Sequence, residues 1–502
     1  MTVKTFHPRI SVKLHKVIGR TTVGSTPASE RFQGTSRTID LTPFLGESGS
    51  VRTSKSVRAP AGAFTVTLAD RMFQQGESGV AQMDSLYGLI EPMDVVEIRM
   101  AHEPHKYIYS GFPDKLPIVM RGFVSSVQRT EGIGADGKPV RAVTISGQDY
   151  GKILQIMRII YFRNYVVGQN LLTNYRLFVN YDVGFTPNQP ASDFVASIIN
   201  SVVNPYLQEM ASRSGTTNDG QSISAVKQMA VDASVTNGTI SPYGANAYQG
   251  GTIHEILSYF GDVGPFNELF VQDREDDDGG VTLVYRPNPF LDVDGNWIQG
   301  NPPSVSVITV HDDDVTGLSA SRTDANIANY YWVNAARYQL SSPETLKLTA
   351  SVGDEPSFFL SDYPNSSPHL YGIRKMEVDT QQLATDAAAE DSDDQMRDKG
   401  VSWLDERRQV LIAQNRDNVL FESGNIQMRG NEAITPGNIV RLRRREFTAD
   451  YYAIAVEHNY APFRSFTTTV QYERGRGFIE RVAEVRSPYL AEINAGGVYE
   501  DG

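Results

Sequence analysis

Two stretches decide the fold: Glu91-Pro-Met-Asp-Val-Val-Glu-Ile98 and, far down the chain, Thr435-Pro-Gly-Asn-Ile-Val-Arg-Leu442. Each sets a proline turn and a short polar residue ahead of an apolar run. Proline fixes φ at the corner, Asp or Asn suits the bend, and the run that follows reads as a strand. What comes next is also alike. Gly122-Phe-Val-Ser-Ser-Val-Gln128 and Val143-Thr-Ile-Ser-Gly147 follow the first, and Tyr452-Ala-Ile-Ala-Val-Glu-His458 and Phe466-Thr-Thr-Thr-Val-Gln-Tyr472 follow the second. Any two β-meanders share some of this. The placement, one copy near each end with a different kind of sequence between, favours an internal duplication.

Around these stretches the chain alternates between two textures. Period-two patterning predicts strands over 63–69, 94–100, 122–127 and 141–147, and again over 305–310, 330–338, 426–429, 439–443, 452–457 and 467–472. Between them, apolar spacing nearer 3.6 predicts helices over 151–163, 192–211 and 252–260. The second has Ser192 or Asp193 as its N-cap and is kinked or ended near Pro205. Residues 212–252, rich in Ser, Thr, Gly and Asn, read as a long loop, and strands over 268–272 and 281–285 flank an acidic turn. Residues 379–415 read as a helix whose acidic front (Glu390, Asp391, Asp393, Asp394) and basic end (Arg407, Arg408) complement its dipole. At the start, Ile10, Val12 and Leu14 look strand-like before the Gly/Ser/Thr-rich 21–38.

The expected fold is therefore mainly β with an α+β insertion, two similar small β-barrels per chain, and several domains. The division is 1–55 an N-terminal arm, 56–150 the first barrel, 151–305 the insertion, 306–480 the second barrel with a helical insertion, and 481–502 a tail segment. A chain of 502 residues is too long for one core, which agrees with that division.

Composition narrows the function. There are no cysteines, which excludes disulfide scaffolds, thiolate catalysis and Cys-ligated metal. The net charge of −13 disfavours a phosphate grip, which needs a basic stripe. The densest basic run, Arg441, Arg443, Arg444 and Arg445, alternates as a strand face would. No signal-peptide pattern is visible and no apolar run reaches the ~20 residues of a spanning helix, so a soluble protein is expected.

Candidate chemistry is sparse. His102 and His105 lack a third ligand and read as surface histidines. Asp292-Val-Asp-Gly-Asn296 opens like a calcium loop, but Trp297 stands where glycine is required and Pro303 where the closing glutamate belongs, so a hairpin turn fits better. The acidic runs 273–278 and 311–314 read as solvated turns. No phosphate loop, dinucleotide fingerprint or nucleophile elbow occurs. The expectation is no catalytic, cofactor-binding or metal-ligating residue, no cofactor, and no enzyme activity.

Three segments carry a family resemblance. They are Ser56-Val-Arg-Ala-Pro-Ala-Gly-Ala-Phe-Thr-Val-Thr-Leu-Ala-Asp70 with the strands at 94 and 122, Thr309-Val-His-Asp-Asp-Asp-Val-Thr-Gly-Leu-Ser-Ala-Ser-Arg-Thr-Asp324 leading into Tyr330-Tyr-Trp-Val333, and Pro436-Gly-Asn-Ile-Val440 through to Thr469. The chain resembles the baseplate hub proteins of contractile-tailed phages, the Mu-like hub or late control protein D family, related to the hub part of type VI secretion spikes. The resemblance spans most of residues 50–480, and no repetitive β-helix follows residue 480, so a fused spike is not expected. It implies a homotrimer whose tube-like barrels form a six-barrel ring that joins a hexameric tail tube to a trimeric central spike. Implied partners are the tail tube protein, the central spike protein, baseplate wedge proteins and, as a further candidate, the tape measure protein. DNA would pass through the lumen without specific binding, with the acidic turns 273–278 and 312–314 as candidate lining, and the implied location is the tail baseplate of a virion. Two other readings stay open at this point: a tail-associated cell-wall hydrolase, and a receptor- or glycan-binding tail protein.

Overall fold

The computed structural model describes residues 7–17, 38–71, 73–75, 81–83, 85–108, 116–133, 137, 139–162, 165–167, 189–213, 226–233, 238–240, 250–274, 280–299, 304–334, 363–384, 393–444 and 447–483. The chain is mainly β, and half of its described strands belong to one 13-stranded sheet.

That sheet contains the same six-strand unit twice. The first unit uses, in chain order, Arg9–His15, Ser50–Ser56, Ala63–Ala69, Val95–Ala101, Ile118–Ile133 and Pro139–Asp149. The second uses Val307–His311, Val315–Ser321, Glu422–Arg429, Ile439–Arg444, Phe447–Ala461 and Ser465–Gly475. Numbered one to six within each unit, both lie side by side in the order 2-3-6-5-4-1. One difference separates them: the opening strand is antiparallel to strand four in the first unit and parallel to it in the second. Among the described residues no pairing joins the two ends of either order, so the pairing stops short of a closed barrel.

The likeness extends to single hydrogen bonds. In the first proline turn the Asp94 N–H donates to Glu91 O (3.1 Å), and in the second the Asn438 N–H donates to Thr435 O (3.3 Å). Met93 and Gly437, the residues between, both have positive φ, 72° and 84°. That is the geometry of a turn with proline at its second position, which glycine adopts freely and methionine only under strain. Met93 N–H reaches Val124 O and Gly437 N–H reaches Ala453 O, each at 2.8 Å. Strand four then meets strand five at Val95↔Phe123 and Ile439↔Tyr452. Two residues further along strand five, both units carry a register shift against strand six, between Val124 and Ser126 and between Ala453 and Ala455. A β-bulge at the same place in both copies confirms the duplication expected from the sequence.

Alternation fills a core under each unit. Val12, Val51, Val66, Leu68, Val96, Ile98, Val143 and Ile145 are all fully buried in the first. Ile426, Met428, Val440, Leu442, Val456 and Val470 serve the second. One cross-strand pair is reversed between them. Phe64 lies opposite Gly147 in the first unit, and Gly424 lies opposite Tyr472 in the second. A Cβ on Gly147 would overlap the Phe64 ring, and one on Gly424 would collide with the Ser319 carbonyl and come within 3.1 Å of the Tyr472 hydroxyl, so neither position admits a side chain.

The region between the units is mixed α and β. Antiparallel strands Asn267–Asp273 and Val281–Pro287, with Met229–Ala233 parallel beside the second, pack with the helices of 191–213 and Ile253–Phe260 around Phe194, Ile198, Leu257 and Phe260. Thr252 caps the last helix with a reciprocal box to Glu255. Helix Asp393–Asn415 covers a smaller core with Tyr331 and Val333.

Several expectations are corrected here. The helix expected over 151–163 stops at Ile156, and Arg158–Phe162 is a strand paired with Gly250–Thr252. Its β-branched and aromatic residues favour the extended state. The helix at Pro205 is neither broken nor capped by Ser192 or Asp193: it starts at Ala191, and a π-turn over Ile199–Val203 leads into Asn204–Arg213. A widened turn absorbs the hydrogen bond that proline cannot make. Parts of the expected loop 212–252 are strands, Met229–Ala233 and Gly238–Ile240, and residues 214–225 lie outside the described residues. The helix placed over 379–415 begins at Asp393, because Lys375–Asp379 pairs in parallel with Tyr330–Asn334 and Thr380–Gln382 is buried. Glu390 and Asp391 lie outside the described residues, as do Arg445 and the tail from 484. The opening strand belongs to the sheet, with Val12 and Leu14 fully buried against Val95–Ala101.

Candidate functional site: the joint between the repeats

The two units are joined through one long strand. Along one edge of Phe447–Ala461, residues 452–461 pair with 465–473 of Ser465–Gly475. Its other edge is divided: 447–452 pairs with Ile439–Arg444 of its own unit, and 455–460 pairs with Ser50–Ser56 of the first. The handover falls at the bulge, where the strand bends away from its own neighbour and frees its backbone groups for a new one. Across the joint Val456 faces Lys55, His458 faces Thr53 and Tyr460 faces Val51. Tyr460 and Phe466 enter the core of the first unit, so the joint is packed as an interior.

Buried charges line the joint and pin the central region to it. Lys55 Nζ lies 2.5 Å from Asp273 Oδ2 and 3.4 Å from Asp149 Oδ2, with all three side chains nearly inaccessible. Burial opposes the charge on Lys55, yet the two carboxylates outweigh it and raise its pKa. One ammonium between two carboxylates leaves the cluster a charge short. Asp149 carries the deficit: burial raises its pKa, and Lys55 offsets only part of that. Nearby, burial favours the neutral form of Glu97, but hydrogen bonds from Arg121 and Arg99 prevail and hold it at about 2. Against the second unit, Arg286 of the central region donates from Nη2 to Gly437 O of the proline turn (2.9 Å), and its Nε lies 3.1 Å from Glu268. Tyr452 donates to the same carboxylate. The first proline turn is held in its own way, with Lys16 Nζ on Leu89 O (2.6 Å) and Asp94 (2.5 Å).

The residues singled out in the sequence are scattered. His102 donates its backbone N–H to Glu432, and His105 is exposed. Asp292–Asn296 forms a hairpin turn: Asp292 Oδ1 accepts from the N–H groups of Asp294 and Asn296, and Leu291 bridges Trp297. Asp273 is not a solvated turn residue but part of the buried cluster, while 275–279 lie outside the described residues. Asp312 and Asp314 pair with Arg444 and Arg429. Arg441 forms a two-pronged bond to Asp450, with Nε–Oδ1 of 2.7 Å and Nη2–Oδ2 of 2.8 Å. Among the described residues no group of three His, Asp or Glu side chains could hold a metal ion. A cleft between Phe290, Tyr451, Tyr452 and Arg474 encloses about 20 Å³, room for about one water and far short of a substrate pocket. Among the described residues no helix is long and apolar enough to cross a membrane.

Sequence reasoning missed Lys55, Asp149, Arg286 and Glu268 entirely. Each is a lone charge in a strand pattern, and only the tertiary pairing brings them together.

No protein-family description and no curated protein matches the chain. Among solved structures, it is similar to a tail protein from Neisseria meningitidis MC58, at 10% identity over 94% of this chain and 98% of that one, with a TM-score of 0.44. It is similar to a 43 kDa tail protein of prophage MuSo2 from Shewanella oneidensis, at 12% identity over 94% and 98%, with a TM-score of 0.41. A third is an Escherichia coli component of the type VI secretion system, at 7% identity over 86% and 75%, with a TM-score of 0.36.

Proposed function

We propose that this chain is the structural hub of a contractile-tail baseplate, a homotrimer that adapts a hexameric tail tube to a trimeric central spike. The observation that supports it is the six-strand unit present twice in one chain. Three chains with two like units each present six like surfaces to a sixfold partner, while the unlike central region repeats only three times, as a threefold partner needs. The domain reading takes 56–150 and 306–480 as the two tube-like barrels with 151–305 between them, and adds the strands Arg9–His15 and Ser50–Ser56 to the first. The role is structural rather than enzymatic, and the partners are the tube, the spike and the wedge proteins, with the tape measure protein as a further one. DNA passes through the lumen without being gripped, in keeping with the net charge of −13. Native mass measurement tests the reading: a three-chain species is expected, and a chain that stays monomeric at high concentration and is absent from tails would overturn it.

A further inference from the structure

The two units are equivalent in topology but not in what covers their edges. In the second unit, residues 455–460 of strand five are covered by Ser50–Ser56, strand two of the first unit. Through the shared bulge and strand-six register, residues 455–460 correspond to 126–131. Among the described residues, 126–131 pair only with strand six, and their outer edge is unfilled. By the same construction Val51–Ser54 corresponds to Leu318–Ser321, through Val51↔Val66 and Leu318↔Ile426. Val315–Ser321 ends the sheet, and among the described residues its outer edge is unfilled. One chain thus contains one filled joint and the two separated halves of a second.

Burial matches this difference. Thr53, His458 and Tyr460 in the filled joint are 2%, 5% and 9% exposed, whereas their counterparts Ala320, Arg129 and Glu131 are all exposed. Neither open edge is protected in the usual ways. Val315-Thr-Gly-Leu-Ser-Ala-Ser321 has no charge and no proline, and Ser126-Val-Gln-Arg-Thr-Glu131 has no proline, with Arg129 and Glu131 paired to each other. Each contains or adjoins a bulge, but so does the edge that the filled joint uses.

We infer that residues 126–131 of one chain pair antiparallel with 318–323 of a second copy, in the register of the internal joint. Thr130 then faces Ser319 as Asn459 faces Arg52, and Gln128 faces Ser321 as Glu457 faces Ser54. The contact joins unlike surfaces, so it propagates head to tail and closes into a ring in which internal and intermolecular joints alternate. The inference rests on the trimeric hub reading and adds to it the strands and the register that close the ring.

The absence of native cysteine makes the test direct. Facing residues of an antiparallel pair have Cβ atoms about 4.5–5.5 Å apart, near the reach of a disulfide. Arg52→Cys with Asn459→Cys is the internal control and should close within one chain under mild oxidation. A mixture of Thr130→Cys chains with Ser319→Cys chains should give a two-chain product, and neither variant alone should. The double variant Thr130→Cys/Ser319→Cys should lose its single-chain band to a three-chain product, while Thr130→Cys mixed with Thr316→Cys should not link. If the control closes and a native trimer forms but the mixture stays unlinked, the pairing is wrong and the trimer stands. Equal linking to Thr316→Cys overturns the register. A chain that remains monomeric throughout overturns both the pairing and the hub reading.

Discussion

Replacing Lys55 with methionine should be among the most damaging single changes at the joint. The substitution keeps most of the side chain's volume and removes its charge, leaving Asp149 and Asp273 buried without their cation. Breaking a buried pair from one side costs about 3–5 kcal/mol, because the remaining charge is stranded. For a cooperative unit of roughly 150–250 residues, that lowers the melting temperature by about 6–20 °C. The pH dependence carries the sign. Burial already raises the pKa of Asp149 and Lys55 offsets part of that, so without Lys55 its folded pKa lies further above the unfolded one and protonation stabilises the folded variant. The deficit against wild type should be largest near neutrality and should shrink as pH falls towards the ordinary carboxylate range. Neutralising the partners as well, in Lys55→Met/Asp149→Asn/Asp273→Asn, should recover much of the loss. Melting followed by near-ultraviolet dichroism from pH 4 to 8 reads both effects. A variant that melts within 1 °C or so of wild type, or whose deficit grows on acidification, would refute the cluster's role.

His458 is buried against Thr468 and its pKa is lowered to about 4 by burial, below its unfolded 6.5. Its contribution is present above pH 6.5 and is lost as pH falls towards 4. His458→Gln should therefore flatten the acid limb of stability by on the order of 3 kcal/mol, measured as the difference from wild type at pH 7 and pH 4. Gly147→Ala should cost about 1–3 kcal/mol by forcing the new Cβ into the Phe64 ring and the Phe123 carbonyl, read from the denaturant midpoint. Thr252→Ala removes the capping box of Ile253–Phe260 and should lower its stability by about 1 kcal/mol, seen as faster amide exchange in that helix with little change elsewhere.

Strands such as Ala63–Ala69 and Ser465–Gly475 were legible because each is covered on one face, which period-two alternation reports directly, whereas Ser50–Ser56 and Val315–Ser321 were not among the expected strands. The proline turns were legible because Pro92 and Pro436 restrict the backbone locally. The strand Arg158–Phe162 was hidden: a short apolar run after a helix has no period of its own, and its partner, Gly250–Thr252, lay in a segment that read as loop. Asp273 was misread for a related reason. Its neighbours are acidic and turn-like, and nothing adjacent reveals that Lys55, more than two hundred residues earlier, comes within 2.5 Å. The joint itself left no local mark, since Ser50–Ser56 has the same pattern whether its neighbour belongs to its own unit or to another.

The reversed pair, Phe64 opposite Gly147 and Tyr472 opposite Gly424, bears on how such duplications are found. Aligned position by position, the two copies disagree there twice, each time trading the largest kind of side chain for none. Read as a sum across neighbouring strands, they agree, because each copy sets one aromatic residue opposite one glycine and only the strand that carries it has changed. Kinship between the copies therefore resides in couples of positions rather than in columns. A search that scores facing residues jointly would recover ancestry where a residue-by-residue comparison finds only noise.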